Sequence, residues 1–204
     1  MDSIKQHWNK VYKSKSSGDY SWYQKIPKTS LEFFHGFNLP KTASIIDVGA
    51  GESKFVDYLL SEGYTNISVL DISEEALSIV KKRLGKDSEK VKWIVSDITE
   101  FNSDINYDLW HDRATFHFLT TPLEIQKYVS LAKLCVNKFM LIGTFSDKGP
   151  DKCSGLEVHK YSEEELDAQL NRGFEKIKCI TEDHITPFNS IQNFLFCSFK
   201  KKLN

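Results

Sequence analysis

No apolar run in this chain approaches the ~20 residues that a membrane-crossing helix requires; the longest, such as Phe139 to Ile142, fall far short. The opening MDSIKQHWNK holds no apolar signal core. Internal repeats, low-complexity tracts and Gly/Ser linkers are missing as well. Only Arg83, Arg113 and Arg172 of the 27 basic residues are arginines, and the lysines are interleaved with 28 acids to a net charge of −1. Without a long basic stretch, nucleic acid is not an expected partner. The four cysteines, Cys135, Cys153, Cys179 and Cys197, have no CxxC spacing, and all but Cys153 lie in apolar stretches that read as core. Cys153 with His159 lacks further metal ligands. These absences predict a cytoplasmic protein with no membrane, nucleic-acid or metal partner, monomeric or weakly dimeric.

What is present is a regular alternation of short β-branched runs with longer helical ones over 204 residues, 40% of them hydrophobic. A chain of this size buries roughly 70% of its unfolded surface, enough for a core without disulfides or metal. The alternation is the βαβ pattern. It predicts parallel strands at Ser44 to Val48, Asn66 to Asp71, Val91 to Val95, Tyr107 to His111 and Lys138 to Thr144. Helices are expected at Ser53 to Ser61, at Ser73 to Leu84 with Ser73 as N-cap, at Pro122 to Cys135, and from Ser162, where Ser-Glu-Glu-Glu offers a capping box. Two strand-like runs, Phe174 to Ile185 and Ile191 to Lys200, flank the turn Thr186 to Ser190 and predict an antiparallel hairpin. Charge runs such as Lys81-Lys82-Arg83 read as solvated element ends. Ahead of the first strand, helical stretches at Ile4 to Lys13 and Lys28 to Phe37 bracket an aromatic cluster, Tyr20-Ser21-Trp22-Tyr23, too rich in rings for a tail.

The first strand runs into Asp47-Val48-Gly49-Ala50-Gly51-Glu52-Ser53, which places glycines where the chain must turn tightly and let a ligand reach the backbone. Asp71 closes the second strand, where a carboxylate can take both hydroxyls of a ribose. Asp97 and Ile98 close the third, an acid for an exocyclic amine and an aliphatic chain for a purine face. A dinucleotide fingerprint would need glycine at position 54, which is lysine, so NAD is disfavoured.

This combination of DxGxG, strand-end acids and terminal hairpin resembles the class I S-adenosylmethionine-dependent methyltransferases. His7-Trp8-Asn9-Lys10-Val11-Tyr12 followed by Tyr20-Ser21-Trp22-Tyr23 is similar to the opening of the seven-strand lysine methyltransferases of elongation factor 1A and citrate synthase. The resemblance implies a Rossmann-like three-layer α-β-α sandwich, a seven-stranded mostly parallel sheet ending in the antiparallel hairpin. It implies one methyltransferase domain, with a lid segment over residues 1–40 and a core over 41–204. Trp8, Tyr12 and Trp22 would cover S-adenosylmethionine, with Asp47, Gly49, Ala50, Gly51, Asp71, Ile72, Asp97, Ile98, His111 and Arg113 as further cofactor contacts.

The fourth strand and its continuation, Tyr107 to Leu119, align with the family's Asp/Glu, Lys/Arg, Gly/Ala, Thr sequence and carry Trp-His-Asp-Arg where base and amide methylases have Asn/Asp-Pro-Pro-Tyr. Methylation of bases and amides is thereby disfavoured. Asp112 and His117 are the candidate catalytic groups, either of which could orient or deprotonate a nucleophile. The loop around Cys153 and Ser154, with His184 in the hairpin, is expected on the substrate side. The acceptor is a small molecule or a protein lysine. A cofactor-binding relative without transfer activity and, more weakly, an oxidoreductase are the alternatives.

Overall fold

In the computed structural model, which describes residues 2–14 and 18–203, five adjacent parallel strands make up one side of the sheet, from its edge inward. They are β1 (Ser44–Val48), β2 (Asn66–Asp71), β3 (Val91–Val95), β4 (Tyr107–Arg113) and β5 (Val136–Phe145). Two short strands, β6 (Lys152–Cys153) and β7 (Leu156–Glu157), make a separate hairpin. The chain closes with β8 (Phe174–Ile185) and β9 (Ile191–Lys201). The sheet order is β3-β2-β1-β4-β5-β9-β8, and β9 lies antiparallel between β5 and β8. The strand order reverses beside β1, which puts a crevice at the carboxyl ends of β1 and β4.

Helices cover both faces, which is why the central strands are almost continuously apolar. One face packs Ile45, Ile67, Val69, Leu109 and Leu141 against α2 (Lys28–Gly36), α3 (Phe55–Ser61) and α4 (Glu74–Leu84). The other packs Ile46, Trp110, Met140 and Ile142 against α5 (Pro122–Cys135) and α6 (Glu163–Leu170). Alternate residues of each strand thus serve opposite cores. The helix starts follow their capping chemistry: Ser73 accepts from the Ala76 amide, Ser162 from the Glu165 amide, and Thr121 with Glu124 closes a reciprocal box. The first helix, α1 (Asp2–Ser14), lies beside α4, tied by Ser73 Oγ to Asn9 Oδ1 at 2.8 Å and by a Lys13–Glu75 ion pair.

Two expectations change. Cys179 and Cys197 face each other across β8 and β9 and are joined as a disulfide, because the hairpin register sets them directly opposite. Cys135 and Cys153 are buried and unbonded to other cysteines. The segment after β5 is ordered by the β6–β7 hairpin, whose two-residue turn is Ser154 (φ 49°) and Gly155 (φ 80°).

Candidate cofactor and transfer site

The site grows from the end of β1. Asp47 and His111 are lateral neighbours on β1 and β4, and the Asp47 carboxylate meets His111 Nδ1 at 2.6 Å. The other ring nitrogen lies 2.9 Å from the Ser30 hydroxyl of α2. Asp47 Oδ2 is buried with no partner and its residue lines the cavity described below. The chain then turns through Gly49 (φ 58°) and Gly51 (φ 56°), a backbone region hostile to side chains. A Cβ on Gly49 would stand 1.7 Å from Thr115 Oγ1, and one on Gly51 would stand 2.2 Å from the Tyr12 hydroxyl. Arg83 clamps the far side of this turn: its guanidinium pairs with both Asp57 oxygens and donates to the Glu52 and Ser53 carbonyls. Arg83 is therefore a structural brace and not a solvated end.

The two strand-end acids flank the turn. Asp71 accepts from the Gly51 and Ser73 amides, each at 2.7 Å. Burial nevertheless pushes its carboxyl up to about 6, against the pull of those two bonds. Each carboxylate oxygen has a second lone pair, so Asp71 keeps acceptor capacity. Asp97 spends Oδ1 on the Thr99 amide and hydroxyl, both at 2.8 Å, and Ile72 and Ile98 wall the same cavity.

Over these ends lies a cavity of about 360 Å³. Its roof is aromatic. Trp8, Tyr12, Tyr20 and Trp22 all line it and pack on one another, with the Trp8–Trp22 centroids 5.8 Å apart and Tyr20–Trp22 stacked at 5.1 Å. Trp8 also meets Phe118 edge-on at 5.1 Å, which joins the roof to the turn after β4. His184 Nε2 bonds the Ser21 carbonyl at 2.7 Å, so the terminal hairpin anchors the roof from behind.

Strand alternation divides the residues expected on the acceptor side. His111 and Arg113 point to the face of Asp47, and both line the cavity. Asp112 points to the opposite core. There it is fully buried and accepts from the Thr115 and Phe116 amides and from the Tyr128 hydroxyl at 2.7 Å. Desolvation raises its carboxyl to about 6 even so. His117 is completely buried, stacked on Phe145 at 4.2 Å with neither ring nitrogen partnered. Burial, aided by the Arg113 charge, pushes the imidazole down to about 3. Neither residue lines the cavity, nor do Gly51, Ser154 or His184, whereas Cys153, Leu156 and Glu157 of the β6–β7 hairpin do. Sequence reasoning did not find the Ser30 partner of His111, the Arg83 brace or the role of His184. Among the described residues no cluster of three or more His, Cys, Asp or Glu could hold a metal ion.

Residues 45–136 match a family described as a methyltransferase domain. A malonyl-[acyl-carrier protein] O-methyltransferase of Ilyobacter polytropus is 27% identical over 89% of this chain and 71% of its own length. Human EEF1A lysine methyltransferase 2 is 23% identical over 85% of this chain and 75% of its own. A mouse eEF1A lysine and N-terminal methyltransferase is longer, and the match, at 24% identity, covers 58% of this chain and 17% of that protein. Among solved structures, the 1,6-didemethyltoxoflavin-N1-methyltransferase of Burkholderia thailandensis with bound S-adenosylhomocysteine superposes with a TM-score of 0.69 at 17% identity, over 99% of this chain and 85% of that one.

Proposed function

We propose that this chain, a class I S-adenosylmethionine-dependent methyltransferase, transfers its methyl group to a small-molecule acceptor held beneath the aromatic roof. The observation that carries this reading is that the aromatic residues of the N-terminal segment and the β6–β7 hairpin line the same small cavity as the strand-end acids. Trp8, Trp22, Phe118, Cys153 and Leu156 line it together with the strand-end acids Asp71 and Asp97, in a volume of about 360 Å³ that cofactor and acceptor would share. That is the scale of small-ligand sites. The lysine reading has the likeness to human EEF1A lysine methyltransferase 2 in its favour. Against it, a lysine would have to thread an ammonium group under these rings and past the Arg113 cation.

The residues present fit the cofactor. Asp71 suits the ribose hydroxyls, Asp97 with Ile98 the adenine, and the unpartnered Asp47 Oδ2 an ammonium group. S-adenosylmethionine supplies a methyl group made electrophilic by its sulfonium. The chain's own work is then placement, because in-line displacement gains most from holding the reacting atoms at about 3 Å. Trp8, Tyr12 and Trp22 offer ring faces to a cation and keep water out. Asp112 and His117 take no proton in this scheme: one is spent on three hydrogen bonds and the other is walled off.

The test is incubation of the full chain with methyl-labelled S-adenosylmethionine and cell extract. Label is expected in the small-molecule fraction. Label on protein lysines overturns the reading.

A further inference from the structure

Arg113 holds one of its donors in place and leaves two without a partner. Nη1 donates to the Trp22 carbonyl at 2.9 Å, while Nε and Nη2 are buried and unpartnered. Unsatisfied buried donors cost about 1–3 kcal/mol each, and more on a charged group. The free pair is the side-on edge of the guanidinium, whose parallel N–H groups match a two-oxygen or similarly compact anion. The Phe194 ring lies 4.9 Å from the guanidinium carbon and stiffens it. Nearby Glu182, an acceptor for the Thr29 hydroxyl, and Asp47, held by His111, act on Arg113 only through space. Burial lowers its guanidinium to about 10, so it stays charged at neutral pH.

We infer that Arg113, expected from the family resemblance to contact the cofactor, is instead the receptor for the acceptor's own negative charge, and that the acceptor is a small thiolate or carboxylate entering already ionised. This rests on the small-molecule reading above and names its substrate class. The fate of the candidate bases agrees with it: Asp112 and His117 are consumed or walled off, and neither lines the cavity. A nucleophile that arrives as an anion needs none. Its lone pair forms the bond to the methyl carbon as the carbon–sulfur bond breaks. That bond's electron pair goes to sulfur, so anion and sulfonium both become neutral and no proton moves. Because the acceptor's charge fades along this path, Arg113 grips the ground state at least as firmly as the transition state. It belongs in KM more than in kcat.

The experiment saturates the full chain with S-adenosylhomocysteine and titrates it calorimetrically with benzoate, benzenethiolate and benzylammonium. The anions are expected to bind and the cation not. Arg113→Met should weaken the anions at least about tenfold while changing S-adenosylhomocysteine affinity less than about threefold. Arg113→Lys, which keeps the charge but not the fork, should fall between and serves if the Met variant melts early. With benzenethiol as acceptor, Arg113→Met should raise KM about tenfold and move kcat less than about threefold. The proposal is overturned if S-adenosylhomocysteine is what weakens tenfold, which would assign Arg113 to the cofactor's carboxylate. It is equally overturned if benzylammonium binds as well as benzoate, or if neither anion binds at up to about 10 mM. Failure of S-adenosylhomocysteine to bind the unaltered chain would instead remove the methyltransferase reading itself.

Discussion

The Asp47 carboxylate and the His111 imidazole meet at 2.6 Å, and His111 passes the contact on to Ser30 at 2.9 Å. The order serine, histidine, aspartate imitates a nucleophile relay, but the Ser30 hydroxyl is sealed under α2 at 1% exposure and the Phe55 ring covers His111 at 4.2 Å. The network ties α2 to β1 and β4 and sets the direction of Asp47. Ser30→Ala should therefore cost about 1–2 kcal/mol in urea unfolding. Neither the parent nor the variant should hydrolyse an activated ester, and ester turnover lost with Ser30 would refute the structural role.

A second consequence concerns His117, neutral and unpartnered against Phe145. Its folded pKa of about 3 lies below the ordinary 6.5, so the unfolded chain binds more protons between those values. Stability from this group is present above pH 6.5 and is lost as pH falls toward 3, by up to about 1.4 kcal/mol per unit. His117→Phe keeps the stacked ring and removes the titration. By removing two unpartnered buried nitrogens it should raise stability at pH 7 by about 1–3 kcal/mol and reduce the loss on acidification, measured by denaturant titration across pH. An unaltered pH slope would contradict this.

Asp71 carries the opposite sign. Its folded pKa of about 6 exceeds 3.8, so acidification from 6 toward 4 favours the folded apo chain through this group. The same proton removes acceptor capacity from the ribose site. S-adenosylhomocysteine affinity should fall by up to about tenfold per unit below pH 6, and Asp71→Asn should flatten the profile at a weaker level. Isothermal titration at several pH values checks it, and a flat wild-type profile would remove Asp71 from the site.

At Gly49 the added methyl of an alanine would collide with Thr115 at 1.7 Å in a left-handed backbone. Gly49→Ala should cost at least about 2 kcal/mol and abolish cofactor binding. A stable, binding variant would show that the turn is not held as described.

The five parallel strands, the terminal hairpin and the roof of Trp8, Tyr12 and Trp22 were legible because periodicity, turn residues and ring density are local signals. Period-two alternation along β4 also distinguishes Arg113 from Asp112, yet residue chemistry drew attention to the carboxylate, which serves the opposite core. His117 looked reactive for its type, whereas its environment is set by Phe145, 28 positions along the chain. The Cys179–Cys197 bond and the Arg83 brace depend on register and on contacts between distant segments, which spacing alone does not report.

The most direct measurement of the central claim is calorimetric titration of the full chain with S-adenosylhomocysteine and, separately, NAD. The account predicts one S-adenosylhomocysteine per chain, weakened by about 1.5–3 kcal/mol in Asp71→Ala, and no heat of binding from NAD. No S-adenosylhomocysteine binding, or NAD binding that Asp71→Ala weakens, would contradict it.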